Sequence, residues 1–441
     1  MKVKNLYIET YGCQMNLSDS EVVASIMEKD GYGITENIKE ADVIFVNTCS
    51  IRDHAEKRVR NRIQEFKHLK QQNPNLRIGV LGCMAERLKE TILKEENFVD
   101  IVVGPDAYRD IPRLVEETKS GLQMANTLLS LEETYADINP VRLDKNGISA
   151  FISIMRGCDN YCAYCVVPYT RGHERSRDPK SIIREAEDLL SKGYKEITLL
   201  GQNVNSYDWE ENGKKVNFAI LLKMVAEVSS DIRIRFSTSH PKDISDELIE
   251  MIANTSNICN SIHLPVQSGS TSCLKRMKRS YTREWYLDRI EKIKSLIPDC
   301  GLSTDVIAGY CGETEEEHKE TLSLMEMVGY DYAFMFKYSE RPDTFAANKF
   351  PDDVPEDVKG RRLQEIIKLQ QEQGYKSNLK DVGKVFRVLV DNVSKRSELQ
   401  MAGRNDQNKV LVFDRKDCKL GDYVDVKCTS CTAATLKGEI V

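Results

Sequence analysis

Three thiols in one short loop set the tightest constraint on this chain. In RGCDNYCAYC (156–165), Cys158, Cys162 and Cys165 are spaced by four and then three residues, with no fourth cysteine nearby. A structural zinc ion takes four ligands and leaves no open position; the only local candidate to complete such a set is His173. An iron–sulfur cube gripped by three cysteines leaves one iron free for a substrate or cofactor. The spacing lets one loop wrap round three corners of such a cube. That loop follows FISIMRG, the first of six apolar runs that alternate with helical patterns between residues 148 and 374. The other five are EITLLGQNVN, RIRFSTS, NSIHLPVQSG, LSTDVIAGY and DYAFMFKYS. Six β–α units predict a partial parallel barrel, whose functional loops gather at the C-terminal ends of its strands.

A second set of cysteines has a different logic. Residues 1–118 alternate strand and helix, with NLYIETYGC, ADVIFVNTC and LRIGVLGC as strands. Each run ends in a cysteine: Cys13, Cys49 and Cys83, separated by 36 and 34 residues, about one β–α unit each. Such alternation predicts a doubly wound parallel sheet. Right-handed crossovers then bring the three strand ends to one edge, where α/β folds place their ligands. Ser18 and Glu21 form a capping-box pattern at the head of SDSEVVASIMEK, which predicts a helix start there. The charged run RDHAEKRVRNRIQEFKHLKQQN predicts a long helix stopped by Pro74.

Composition bounds what remains. A chain of 441 residues exceeds one ordinary core and implies two to four domains, as a rough count. No apolar run reaches the roughly 18–20 residues that span a bilayer, and MKVKNLYIETYG lacks the regions of a signal peptide. A cytoplasmic location without membrane contact is therefore expected. In a reducing compartment the 13 cysteines point to metal or redox roles rather than a disulfide framework. Residues 119–147 are polar with weak periodicity and read as a linker. Residues 375–441 change to short strands between turn signals, consistent with a small antiparallel β-barrel. This tail holds 13 Lys and Arg against 9 Asp and Glu on a chain of net charge −6, a basic module suited to a polyanion. The stretches YTRGHERSR and KRMKRSYTR add further candidate phosphate contacts. Cys428-x-x-Cys431 with Cys418 lacks a fourth ligand, and Cys259, Cys273 and Cys300 show no ligand spacing. All six read as packing residues.

The C-x-x-x-C-x-x-C loop after the first strand of a six-unit barrel resembles the radical SAM superfamily, and the second trio narrows the likeness to its methylthiotransferases. YGCQMNLSDSE, NTCSIRDHAEKRV, RGCDNYCAYCVVPYTRGHERSR and RPDTFAA look like the tRNA-modifying branch, and the tail looks like a TRAM domain. One departure is Cys311, where the family usually carries proline; it too reads as packing. The resemblance implies an N-terminal domain over 1–118, a radical SAM barrel over 148–374 and an RNA-binding module over 375–441. It implies two [4Fe–4S] clusters, one on Cys158, Cys162 and Cys165 and an auxiliary one on Cys13, Cys49 and Cys83. It implies S-adenosylmethionine as both methyl donor and radical source, with sulfur drawn from the auxiliary cluster. The product would be the 2-methylthio derivative of N6-dimethylallyladenosine beside the tRNA anticodon.

No side chain is expected to act as acid or base, because an unactivated C–H bond yields to a radical and the protein positions and shields. Expected cofactor contacts are Tyr164, whose counterpart in the family meets the adenine, and the strand-end residues Gln202, Asn203, Ser237, Gln267 and Asp305. The tRNA anticodon stem-loop is the implied partner. An electron donor such as flavodoxin or ferredoxin and an iron–sulfur carrier or cluster-repair protein are also implied, with the enzyme a monomer. Two alternatives stay open: methylthiolation of threonylcarbamoyl-adenosine or of a ribosomal protein, and an RNA-binding protein with purely structural metal.

Overall fold

The computed structural model describes residues 4–49, 53–144 and 146–441, so part of the NTCSIRDHAEKRV motif lies outside the described residues. The N-terminal strands are β1 (Lys4–Thr10), β2 (Tyr32–Ile34), β3 (Val43–Thr48), β4 (Arg77–Gly82), β5 (Ile101–Val103) and β6 (Met124–Asn126). They form one sheet in the order β2-β1-β3-β4-β5-β6, parallel throughout. Apolar side chains fill both faces: Leu6, Phe45 and Val103 on one, Ile44, Val46 and Val80 on the other. Burial on both sides is why β3 and β4 read as unbroken apolar runs. Met124–Asn126, in the stretch read as a linker, pair with β5 as the sheet's edge.

Helix α1 spans Gln14–Lys29 with Cys13 at its N-cap. The expected capping box at Ser18 and Glu21 is thus incorrect: the helix starts a full turn earlier, and both residues lie inside it, buried. Glu21 is polar because it pairs there with Arg142 at 2.8 Å. Helix α2 covers Asp53–Gln72 and stops just before Pro74, as proline requires. Helix α3, Cys83–Leu88, begins directly at the end of β4.

The second body holds six parallel strands, β7 (Ser149–Ser153), β8 (Glu196–Leu200), β9 (Arg233–Phe236), β10 (Ser261–His263), β11 (Gly301–Ala308) and β12 (Tyr332–Lys337). Their neighbours follow chain order, and a parallel bridge between Ile234 and Ile258 joins the two halves. One continuous core runs from Ile152 through Leu199, Ile234 and Ile262 to Val306 and Leu324. This is the expected partial (β/α)6 barrel. Between β7 and β8 lie the short helices α4 (Val167–Arg171) and α5 (Pro179–Ser191). Helix α6, Glu356–Leu379, does not leave the barrel but packs along it: Ile366 enters the core, and Gln370 and Gln373 donate to the Tyr330 and Met325 carbonyls.

The last five strands, β13 (Val385–Val393), β14 (Gln400–Arg404), β15 (Val410–Asp414), β16 (Tyr423–Cys431) and β17 (Leu436–Ile440), close a barrel in the order β13-β14-β15-β17-β16. One pair, β15 with β17, is parallel; the others are antiparallel. Cys418 and Cys428 sit in its core with Cys431 packed against them. This small barrel caps the N-terminal ends of the six strands. Arg233 donates to the Arg404 carbonyl at 2.7 Å, and Arg235 to the Asn405 carbonyl at 2.7 Å. The cysteine loops therefore occupy the opposite, open end. No helix among the described residues is long and apolar enough to cross a membrane.

Candidate functional site

Adjacent strands β1, β3 and β4 each deliver one cysteine at or just beyond their C-terminal ends. Cys13 and Cys49 are close enough for a hydrogen bond between them to lower the Cys13 thiol, with help from the Arg171 charge. Gly12 explains the closeness: its φ is +116°, and a Cβ there would fall 2.3 Å from the Cβ of Cys49. Only glycine tolerates both demands. Cys13 is exposed while Cys49 and Cys83 are buried, and burial pushes the Cys83 thiol up.

The second trio lies on the loop after β7. That loop is pinned by backbone hydrogen bonds from Cys158 to the Gly172 carbonyl (3.1 Å), from Ala163 to Met277 (2.9 Å) and from Ala346 to Ala163 (2.7 Å). Gly157, at φ +79°, lets it pass against His173, whose carbonyl oxygen would lie 1.8 Å from a Cβ. Asn160 Nδ2 reaches Cys158 Sγ at 3.4 Å, and Arg279 Nη1 reaches Cys162 Sγ at 3.4 Å. Burial raises the Cys158 thiol to about 11 and raises Cys165 as well. Thiols held neutral this way ionise when a metal centre binds them. Cys311 and Cys273 are buried under the loop beside Ala163 and Tyr310, in the packing role expected of them.

The two trios are physically linked. Helix α3, which starts at Cys83, packs on α4, which follows Cys165. Arg341, in the RPDTFAA stretch, is close enough to interact electrostatically with Cys49. Gly12, Cys13 and Gln14 share a cavity of about 850 Å³ with Ser149, Thr198, Ser237, His263 and Ser303 of the barrel lumen. Tyr332 and Phe334 line it too, both exposed and set edge to face at 4.9 Å.

The expected cofactor residues divide. Ser237 lines the cavity. Gln202 carries a buried Oε1 with no hydrogen-bond partner. Tyr164 stands edge to face with Tyr310 at 6.3 Å, inside the cysteine loop. Asp305 faces His263, 3.5 Å from its Nε2. Asn203 is engaged internally, donating to Asp243 at 2.6 Å and accepting from the His240 backbone at 2.9 Å. Gln267 adopts φ +69°, and its backbone bridges to Val306.

His240 gives a pH test of this floor. Burial, Arg279 and Lys242 bring its imidazole down from 6.5 to about 2. The unfolded chain therefore takes up a proton below pH 6.5 that the folded one refuses. Stability is complete above that pH and falls with acidification, by about 1.4 kcal/mol per pH unit. Denaturant titrations between about pH 6.5 and 5 should show this slope, and His240→Gln should remove it.

The N-terminal region matches the model of an uncharacterized protein family, UPF0004, over residues 5–104. The Radical SAM superfamily matches over 152–325 and the TRAM domain over 379–441. Among curated relatives, the tRNA-2-methylthio-N(6)-dimethylallyladenosine synthase of Amoebophilus asiaticus is 59% identical, covering 99% of this chain and 92% of that one. Its namesake in Bacteroides fragilis is 57% identical over 99% and 96%. The chain belongs to the tRNA-2-methylthio-N(6)-dimethylallyladenosine synthase family. Solved structures agree on the fold. The radical S-adenosylmethionine methyltransferase TsrM from Kitasatospora setae superposes with TM-score 0.58 at 12% identity, over 78% of this chain and 75% of that one. The cobalamin-dependent radical enzyme OxsB gives 0.56 at 14%, over 84% and 56%.

Within this synthase-family chain, three groups at the site escape sequence reasoning. Arg171, Arg175 and Arg177 lie in YTRGHERSR, a candidate phosphate contact or solvated surface by sequence, yet all three are buried and pair with Asp19, Asp106 and Glu185. Arg279, in the other basic run, is buried against Cys162, Tyr281 and the Pro265 carbonyl. Glu86, one turn after Cys83, is raised to about 7 by burial, and its Oε2 has no partner. A run of arginines looks the same on a surface and in an interface; only the placement of the carboxylates distinguishes them.

Proposed function

We propose that this chain methylthiolates C2 of N6-dimethylallyladenosine beside the tRNA anticodon; its full-length relatives are named tRNA-2-methylthio-N(6)-dimethylallyladenosine synthases. What supports the reading most is the shared cavity: Cys13, from one thiol trio, opens into the lumen above which the other trio is mounted. Sulfur donor and activated carbon must meet, so the two sets of thiols need a common chamber.

The residues fit the groups that the reading requires. Each trio supplies three sulfur ligands and no fourth, which suits a cube with one open iron. Buried donors stand ready for sulfur: Asn160 and Arg279 at the barrel trio, and the unpartnered Arg171 Nη1 at the other. Cys158, Cys162 and Cys165 would hold one [4Fe–4S] cluster, and Cys13, Cys49 and Cys83 the auxiliary one. When bound, the clusters and S-adenosylmethionine supply one-electron chemistry that activates the adenine carbon, and the methylated sulfur that joins it.

The chain's own residues do the rest. Gln202, through its unpartnered oxygen, and Ser237 and Asp305 in the lumen orient the cofactor; Tyr164 flanks its adenine. Tyr332 and Phe334 present aromatic faces on which an extruded base can stack. The small closed barrel seals the far end of the lumen and keeps bulk water from the reacting carbon. Its basic surface holds the anticodon stem-loop phosphates. A flavodoxin- or ferredoxin-like donor would supply electrons, an iron–sulfur carrier would restore the auxiliary centre, and the enzyme would act as a cytoplasmic monomer.

Nucleoside mass spectrometry of tRNA from cells lacking the protein tests the assignment. The methylthio product should vanish, with N6-dimethylallyladenosine accumulating in its place. Loss of the threonylcarbamoyl-derived product instead, with the dimethylallyl one intact, would overturn it.

A further inference from the structure

Arg171 is the last residue of α4, six positions after Cys165, yet its side chain belongs to the other trio. Its guanidinium is 3% exposed. Nη2 donates to Asn16 Oδ1 at 3.0 Å and to Asp19 Oδ2 at 2.8 Å. Nη1 is buried and has no hydrogen-bond partner among the described residues. A buried guanidinium nitrogen left unbonded is costly, so its protons require an acceptor. The nearest unfilled chemistry is sulfur: the Arg171 charge acts on both Cys13 and Cys83. The ion pair with Asp19 engages Nη2 and leaves Nη1 unbonded. Arg156 holds the other oxygen of Asp19 at 2.8 Å, so the carboxylate that anchors Arg171 is itself fixed.

We propose that Arg171 donates a hydrogen bond to the sulfur-rich group held by Cys13, Cys49 and Cys83 and thereby raises that group's reduction potential. This rests on the reading that the trio holds an auxiliary cluster. Hydrogen bonds and positive charge next to cluster sulfurs favour the reduced, more negative form. Arg171 is a positioning residue in this sense: it tunes a neighbour and touches no reacting carbon. The barrel trio has its own donor, Arg279 on Cys162, so the two centres would be tuned separately. Because Arg171 extends from the helix that follows the barrel loop, each centre's surroundings are built partly by the other's loop.

The test uses the full-length chain, reconstituted anaerobically with iron and sulfide. Cys158, Cys162 and Cys165 are changed to alanine so that only the auxiliary centre is seen. Redox titration followed by electron paramagnetic resonance should give a lower midpoint for Arg171→Met than for the parent, with Arg171→Lys between them and iron content unchanged. In the complementary protein, lacking Cys13, Cys49 and Cys83, the same substitutions should leave the barrel centre's midpoint where it was. An unchanged auxiliary midpoint with full iron would overturn the inference. An absence of iron on the parent's trio would instead overturn the cluster reading. Should Arg171→Met fail to fold, arginine labelled with 15N decides. A nitrogen coupling to the reduced centre that disappears in Arg171→Lys supports the contact, and no coupling in the parent refutes it.

Discussion

Protein carrying Cys49→Ala should still cleave S-adenosylmethionine on reduction while transferring no sulfur to tRNA, and Cys158→Ala should do neither. Cys49 sits at the end of β3, and its neighbours are Gly12 and Cys13. The barrel loop is pinned by its own backbone bonds to Met277, Gly172 and Ala346. Removing one thiol of three leaves a cube with two corners held, and iron should fall from about eight to about four per chain. Cys158 begins the other loop, where its backbone bonds Gly172 and its sulfur accepts from Asn160. Its loss strips the centre that activates the cofactor, so both activities fall to background. Chromatography of 5′-deoxyadenosine alongside nucleoside mass spectrometry separates the two outcomes. Equal loss of both activities in Cys49→Ala would show that the trios do not divide the labour.

The order of the cysteine-bearing strands was readable because strand ends in a parallel sheet have a fixed place. Cys13, Cys49 and Cys83 each follow a strand, and β1, β3 and β4 turn out to be neighbours. The six barrel strands were readable for the same reason, each being an apolar run between helical patterns. Short elements were not: β2, β5 and β6 have three residues each, too few to show a period. The polar face of α1 misled more deeply. Ser18, Asp19 and Glu21 have the composition of a helix start, but Asp19 is partnered by Arg156 and Arg171 and Glu21 by Arg142, more than a hundred residues away in sequence. Local pattern carries no information about such a partner. For the same reason the basic run that holds Arg171 and Arg175 reads by sequence as a surface, solvated or phosphate-facing, when it is an interface.

That interface makes Asp19 the most exposed point in the stability of the molecule. The carboxylate is 1% exposed and bonds Arg156 Nη1 at 2.8 Å and Arg171 Nη2 at 2.8 Å. Burial pushes its pKa up, but the two guanidiniums outweigh burial and hold it below the ordinary carboxylate value. Asp19→Leu would leave Arg171 buried without a carboxylate, while Arg156 keeps Asp106 at 3.5 Å; a stranded buried charge costs about 3–5 kcal/mol, against well under about 1 kcal/mol for an exposed pair. Urea unfolding at neutral pH should show a loss of that size. Adding Arg171→Met to Asp19→Leu should recover part of it, because apolar replacement of a buried pair is tolerated where a lone buried charge is not. The sign with pH follows from the lowered carboxyl. The contribution is whole above the unfolded value of about 4 and is lost as pH falls through the folded value. In Asp19→Asn that acid-side loss should be missing from the titration. A loss below about 1 kcal/mol for Asp19→Leu would mean that the contact between the N-terminal sheet and the barrel does not depend on this ion network, and that α1 is held by its apolar neighbours instead.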